Sequence, residues 1–282
     1  GRTGEGEAHL RTALEGSETL SPALRGSVHN DLTNLAVDRG DLGAARQHNT
    51  VALECFAASG ELRAQAIALN SRARIAHASG DESLALSSLQ NALGVSQTLG
   101  DVHLQVMFLH NMVQTQVDRG HLAEALEALN AGLTVVSEPH SPVHEGMLRS
   151  RAADVYRLQG ELGAALESDL RAIELADYIG ALNVQITRRV HHAHFRVALG
   201  DLGAAQRCLT EARELGRAGE LQVRLEVEWA ELELAQGQAK AALERLDKLQ
   251  ELLESQGAEP GEAFAFLQLV RAAALLALNP LS

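Results

Sequence analysis

The chain has 282 residues, with 37 acidic side chains against 24 basic ones and a formal net charge of −13. Affinity for nucleic acid comes chiefly from cations that neutralise phosphates, so this balance argues against a direct grip on DNA or RNA. It also lacks the Lys/Arg cluster that an anionic membrane surface attracts, and the acidic excess reads as a solvated face that keeps the chain soluble.

Aromatic residues make up only 3%, and prolines number five, while Ala, Leu, Glu, Arg and Gln dominate. Unbranched side chains lose little rotamer freedom in a helix, so the expected class is all-α. No apolar run reaches the roughly 18 residues that a membrane span requires. The chain begins Gly1-Arg2-Thr3-Gly4 without Met or a charged-then-apolar leader. Such a start, inside a helix pair, reads as that of a fragment of a longer protein.

From there the elements recur. Gly40-Asp41, Gly80-Asp81, Gly120-His121, Gly160-Glu161 and Gly200-Asp201 follow one another every 40 residues, and Gly237-Gln238 follows after 37. Five residues beyond each glycine stands an alanine: Ala45, Ala85, Ala125, Ala165, Ala205 and Ala242. A second glycine series falls half a period later at Gly60, Gly100, Gly180, Gly219 and Gly257. In the gap of that series the chain reads Pro139-His140-Ser141-Pro142, a different helix break. The spacing predicts two helices of roughly 16–18 residues per unit, each followed by a tight turn. Glycine suits the place just past a helix end because it accepts positive φ. The Asp, Ser or Glu after it can cap or charge-stabilise the next helix start. Apolar residues then follow helical spacing, as in 42–58 (Leu42, Ala45, Ala52, Leu53) and 82–98 (Ala85, Leu89, Ala92, Leu93). No pair buries its apolar face alone, so neighbouring pairs must stack.

These positions resemble the tetratricopeptide repeat (TPR) family over nearly the whole chain. The family's small residue of the first helix falls on Thr33, Ala73, Val113, Ala153, Ala193 and Ala230, and that of the second helix on the six alanines above. Its later alanine falls on Ala52, Ala92, Gly132, Ala172 and Ala212, with Leu249 departing. The family's first-helix aromatic survives only as Tyr156, and its repeat-ending proline is absent. Those departures, with 40 residues per unit, resemble the long-helix variety of bacterial maltose-activator-like transcriptional regulators and quorum-peptide receptors. The resemblance implies one right-handed α-solenoid of antiparallel helix pairs across 1–282, with about six to seven repeats.

In the family the first helix of each pair lines a concave groove. By that analogy the inward positions lie thirteen, ten, six and three residues before each turn glycine. Ten before gives Asn30, Asn70, His110, Ser150 and Val190; six before gives Asn34, Arg74, Gln114, Asp154 and His194; three before adds His77 and Arg157. Residues four apart share a helix face, so these form paired polar steps. Asn and Gln offer both a donor and an acceptor, which suits recognition of the main chain of a peptide or helix. A merely solvated face is the alternative. TPR domains that clamp a carboxy-terminal carboxylate place Lys, Arg and Asn here, whereas Lys240 and Lys248 are the only lysines and lie in a second helix. A partner with an acidic carboxy-terminal tail is therefore not expected.

No catalytic constellation is present: there is no GxxxxGK[ST], CxxC, HExxH or GxSxG, and the Gly-Asp-Leu-Gly runs follow helices rather than strands. His191-His192-Ala193-His194 is the best metal candidate, but no carboxylate partner is evident from spacing, so no metal or cofactor is assigned. His140 and His144 read as loop and helix-start residues. If His77, His110 and His194 face the groove, the twelve histidines could give ligand binding a pH response. Cys55 and Cys208 lie far apart in different repeats and read as buried thiols of a reducing, cytoplasmic compartment. Trp229 reads as core or end packing. The apolar stretch Phe264–Leu278 reads as the first helix of an incomplete pair, and a homodimer or a following domain would cover it. The functional expectation is a non-enzymatic protein- or peptide-binding module, the sensory or regulatory arm of a bacterial signalling or transcription-regulating protein. A free-standing TPR adaptor that scaffolds other proteins is the alternative.

Overall fold

A computed structural model describes residues 9–10, 12, 20–137, 141–216, 219–255 and 262–278. They form two compact units, Gly1–His144 and Glu145–Ser282. Every regular element among the described residues is a helix.

In the first unit, α1 (Pro22–Asp38) packs on α2 (Leu42–Ser59), α3 (Leu62–Ala78) on α4 (Glu82–Leu99), and α5 (Val102–Asp118) on α6 (Leu122–Val135). α2 also packs on α3, α4 on α5, and first helices meet directly as α1 with α3 and α3 with α5. Pairs therefore stack as the period requires. α7 (Pro142–Gln159) crosses the boundary at residue 144. The second unit continues with α8 (Leu162–Ile179), α9 (Leu182–Ala198), α10 (Leu202–Leu215), α11 (Gly219–Ala235), α12 (Ala239–Ser255) and α13 (Glu262–Leu278). There α9 packs on α8, α10 and α11, and α11 on α10, α12 and α13.

The turns have the expected chemistry. Gly40, Gly80, Gly120, Gly160, Gly200 and Gly237 sit at φ between 74° and 80°, in the left-handed region that only glycine enters without strain. Asp41, Asp81, Asp101 and Asp201 each accept a hydrogen bond from the backbone N–H three residues on, and so cap α2, α4, α5 and α10. Gly219 departs from the expectation: it opens α11, and the positive-φ glycine between α10 and α11 is Gly216. α10 stops after 14 residues, so its terminating glycine comes earlier. Gly257 and the 138–140 part of the proline break lie outside the described residues.

The small-residue columns are the core. Ala45, Ala85, Ala125, Ala165, Ala205 and Ala242 are all fully buried, as are Thr33, Val113, Ala193 and Ala230. Around them pack Leu89, Leu104 and Phe108 in the first unit, and Ile186, Leu209, Leu225 and Leu232 in the second. Trp229 packs against the latter cluster, with the Arg213 guanidinium 4.6 Å from its ring centroid. α13 buries Leu267, Val270 and Ala274 but exposes Leu269, Leu275, Leu276 and Leu278. No helix among the described residues is long and apolar enough to cross a membrane. Both cysteines are free and half-buried.

Candidate ligand-binding face of the first helices

In the first unit the stacking of α1, α3 and α5 brings successive polar steps into contact. Arg74 Nη1 donates to Asn34 Oδ1 at 3.1 Å, and its Nη2 reaches Asp38 at 3.3 Å. Ser71 Oγ lies 3.3 Å from Asn30 Oδ1 and 3.4 Å from Asn34 Oδ1. Asn111 Nδ2 donates to Asn70 Oδ1 at 2.6 Å, and His110 Nδ1 stands 3.4 Å from Asn111 Oδ1. Asp118 accepts from Gln114 Nε2 at 2.7 Å and pairs with His77 Nε2 at 3.1 Å. Polar side chains thus run from helix to helix as a connected ladder. Arg74 stays exposed, while Asn30, Asn34, His77, His110 and Gln114 are half-buried, so solvent and a ligand can still reach the ladder.

The equivalent steps of the second unit are charged. Ser150 is buried on α7. Asp154 is half-buried, and desolvation raises its carboxyl above the ordinary range although Arg151, Arg188 and Arg157 pull the other way. Arg157 sits 5.7 Å from the centroid of the Phe195 ring. Arg188 occupies a column that elsewhere holds the buried Val28, Ala68, Phe108, Leu148 and Leu225. Burial lowers its guanidinium, and Asp169 and Asp154 oppose that effect. Asp169 is itself 1% exposed, in a column otherwise filled by Asn49, Leu89, Leu129, Leu209 and Leu246. Two positions built for core side chains therefore carry charge in this unit alone.

The three histidines of α9 have three different environments. His192 is buried, with Nδ1 2.7 Å from Asp169 Oδ2 and Nε2 accepting from Arg196 Nε at 3.1 Å. That places its ring proton on Nδ1, donated to Asp169. His191 has a buried Nε2 without a hydrogen bond, and burial, then Arg188 and Arg224, push its pKa down to about 3. His194 meets Glu231 at 3.1 Å and Glu228 at 3.3 Å, and these carboxylates raise it to about 10. The carboxylate partners that the spacing did not reveal come from α11.

Ten of the eleven expected ligand-face residues have polar, charged or ring contacts within their own unit, and Ser150 is buried. Asn30, Asn34, Asn70, Arg74, His77, His110 and Gln114 lie in the first unit; Asp154, Arg157 and His194 lie among the charged groups of the second. Several partners were missed. Ser71, Asn111, Arg151, His191 and Glu228 stand nine residues before their turn glycines, a column whose polarity the forty-residue register already displays. The Asp169–His192 pair had no such signal, because it joins a second helix to a first.

No protein-family model and no curated protein matches this chain. Solved structures do. RapI in its apo form aligns at TM-score 0.66 and 10% identity, over 95% of this chain and 79% of its own. A Rap protein complexed with Competence and Sporulation Factor aligns at TM-score 0.59 and 12% identity, over 93% and 78%. The tetratricopeptide repeat sensor protein PH0952 of Pyrococcus horikoshii, a signal transduction ATPase with numerous domains, aligns at TM-score 0.70 and 12% identity, over 90% of this chain and 39% of its own. At such identities the likeness is one of fold, and the fold is that of TPR-like helical repeats.

Proposed function

We propose that this chain is a protein- or peptide-binding TPR-like module that serves as the sensory or regulatory arm of a signalling or transcription-regulating protein in a bacterial cytoplasm. The observation that carries the reading is the ladder Asn34–Arg74 and Asn70–Asn111, with His77, Asp118 and Gln114 as its next step. Amides at forty-residue intervals offer donors and acceptors to the main chain of an extended peptide or to a helix face. The acidic balance of the chain makes nucleic acid a poor ligand for this segment.

Two neighbours lend support by what their own names state: one is a Rap protein complexed with Competence and Sporulation Factor, the other a protein with a tetratricopeptide repeat sensor. Selection of binders from a random peptide library, followed by titration against an Asn34→Ala/Arg74→Ala/Gln114→Ala variant, tests the ladder. Affinity falls by about tenfold or more in the variant if each lost contact to the ligand is worth about 0.5–1.5 kcal/mol. Unchanged affinity removes the ladder as the binding surface. Small-angle scattering with and without such a peptide separates the regulatory arm from an adaptor, since only the arm requires a change of shape on binding.

A further inference from the structure

The second unit contains a group of side chains that the ladder does not use. His194 of α9 and Glu228 and Glu231 of α11 converge, so that one ligand atom from each lies within 4.8 Å of the other two. The register explains the meeting. Glu231 holds the same place in its repeat, six residues before the turn glycine, that His194 holds in the preceding one, and Glu228 lies one helical turn before Glu231. Packing of α9 on α11 brings these positions face to face.

His194 Nδ1 lies 3.1 Å from Glu231 Oε2 and 3.3 Å from Glu228 Oε2. Bonds of about 2.0–2.2 Å in a tetrahedral shell put neighbouring ligand atoms about 3.3–3.5 Å apart. The imidazole–carboxylate separations are already on that scale. A second observation points the same way. Glu228 is only 8% exposed, and its Oε2 has no hydrogen-bond partner although it faces into the cluster. One N–H of His194 cannot serve two carboxylates, and it is directed at Glu231. Without a metal, the protonated His194 ring 3.3 Å away supplies that oxygen's counter-charge without bonding it; an ion bound between them takes over that role and releases the imidazole's proton.

The geometry points to a divalent transition-metal site, with Zn²⁺ as the best-matched ion, held by His194, Glu228 and Glu231. One imidazole and two carboxylates form a mixed nitrogen–oxygen set of the kind that selects such ions over Ca²⁺, which demands six or more oxygens. Three protein ligands leave a further position on the ion for water or an incoming group. The ion ties two consecutive first helices together, so the site does not depend on the peptide ladder of the first unit.

Titration of the metal-free chain with ZnCl₂ in a calorimeter, at neutral pH, tests the site. One ion binds per chain, and His194→Gln, Glu228→Gln and Glu231→Gln each weaken binding by at least about tenfold, the scale that even an outer partner of a metal ligand is worth. His29→Gln and His103→Gln, which alter the first unit's His29–His48 and His103–His144 pairs at 3.0 and 2.9 Å, leave it unchanged. No binding to the parent chain, or binding that the three variants retain, overturns the site. For any variant that does not fold, the parent chain with Co²⁺ gives the answer by NMR. The His194 imidazole resonances shift and those of His29 do not; the reverse pattern contradicts the assignment.

Discussion

Single residues carry most of the strain between stability and recognition in this chain. Asp154 is a half-buried carboxyl whose pKa is raised, chiefly by desolvation. The folded chain holds its proton more tightly than the unfolded chain. Its cost is therefore absent below the ordinary carboxyl value of 3.8 and fully present above the raised one. Asp154→Asn is expected to raise the melting temperature at neutral pH, by about 2–4 °C for each kcal/mol recovered. Scanning calorimetry checks this, and a lower melting temperature would mean that Arg151 and Arg188 depend on the charge. His29 shows the opposite sign. Burial, then His48 at 3.0 Å, then Arg25, lower its pKa. The unfolded chain then binds the proton more readily, so the stability of the first unit is present above the ordinary value of 6.5 and is lost as pH falls below it. Urea midpoints across this range fall for the parent chain and fall less for His29→Gln. Asp169→Ala leaves the buried His192 donor without its acceptor and is expected to cost about 1–3 kcal/mol, measurable by the same denaturation.

At the scale of elements, close helix approach through small residues decides the architecture. Ala125 is fully buried, so Ala125→Leu must push its helices apart, at a cost of about 1–3 kcal/mol. Gly26 is a sharper case: a Cβ there would lie 2.8 Å from the Phe56 ring, where α1 meets α2. Gly26→Val is expected to lower the urea midpoint of the chain, whereas Gly94→Ala, in open surroundings, raises it slightly through helix propensity. These features were legible before any coordinates. Glycine at a fixed place, alanine five residues later and aspartate at the cap each state a backbone requirement in one letter. The shortened α10 was not legible, because Gly216 and Gly219 both fit a turn and only the packing chooses between them.

For the molecule as a whole, the ladder was readable in part and its connections were not. Period and polarity placed Asn34, Arg74 and Gln114 on one kind of helix face. The links between helices depend on stacking, which brings residues some forty positions apart into contact. In repeat proteins each pair is stabilised mainly by its neighbours. Damage to one unit should therefore act locally, and hydrogen exchange should quicken most at the pairs next to a destabilising substitution. Asp154, Arg188 and His194 were visible as residues, but the half-burial of the first two came only with the fold, and the carboxylates facing His194 only with the packing of α9 on α11.

The central claim is that the first-helix ladder is the binding surface, and a matched pair of triple variants tests it most directly. Asn34→Ala/Arg74→Ala/Gln114→Ala removes ladder side chains, and Glu54→Ala/Gln90→Ala/Glu127→Ala removes exposed side chains of second helices. Affinity for one selected peptide is then measured for both. Loss in the ladder variant alone is the predicted result; equal affinity in both, or loss only in the second-helix variant, contradicts the account.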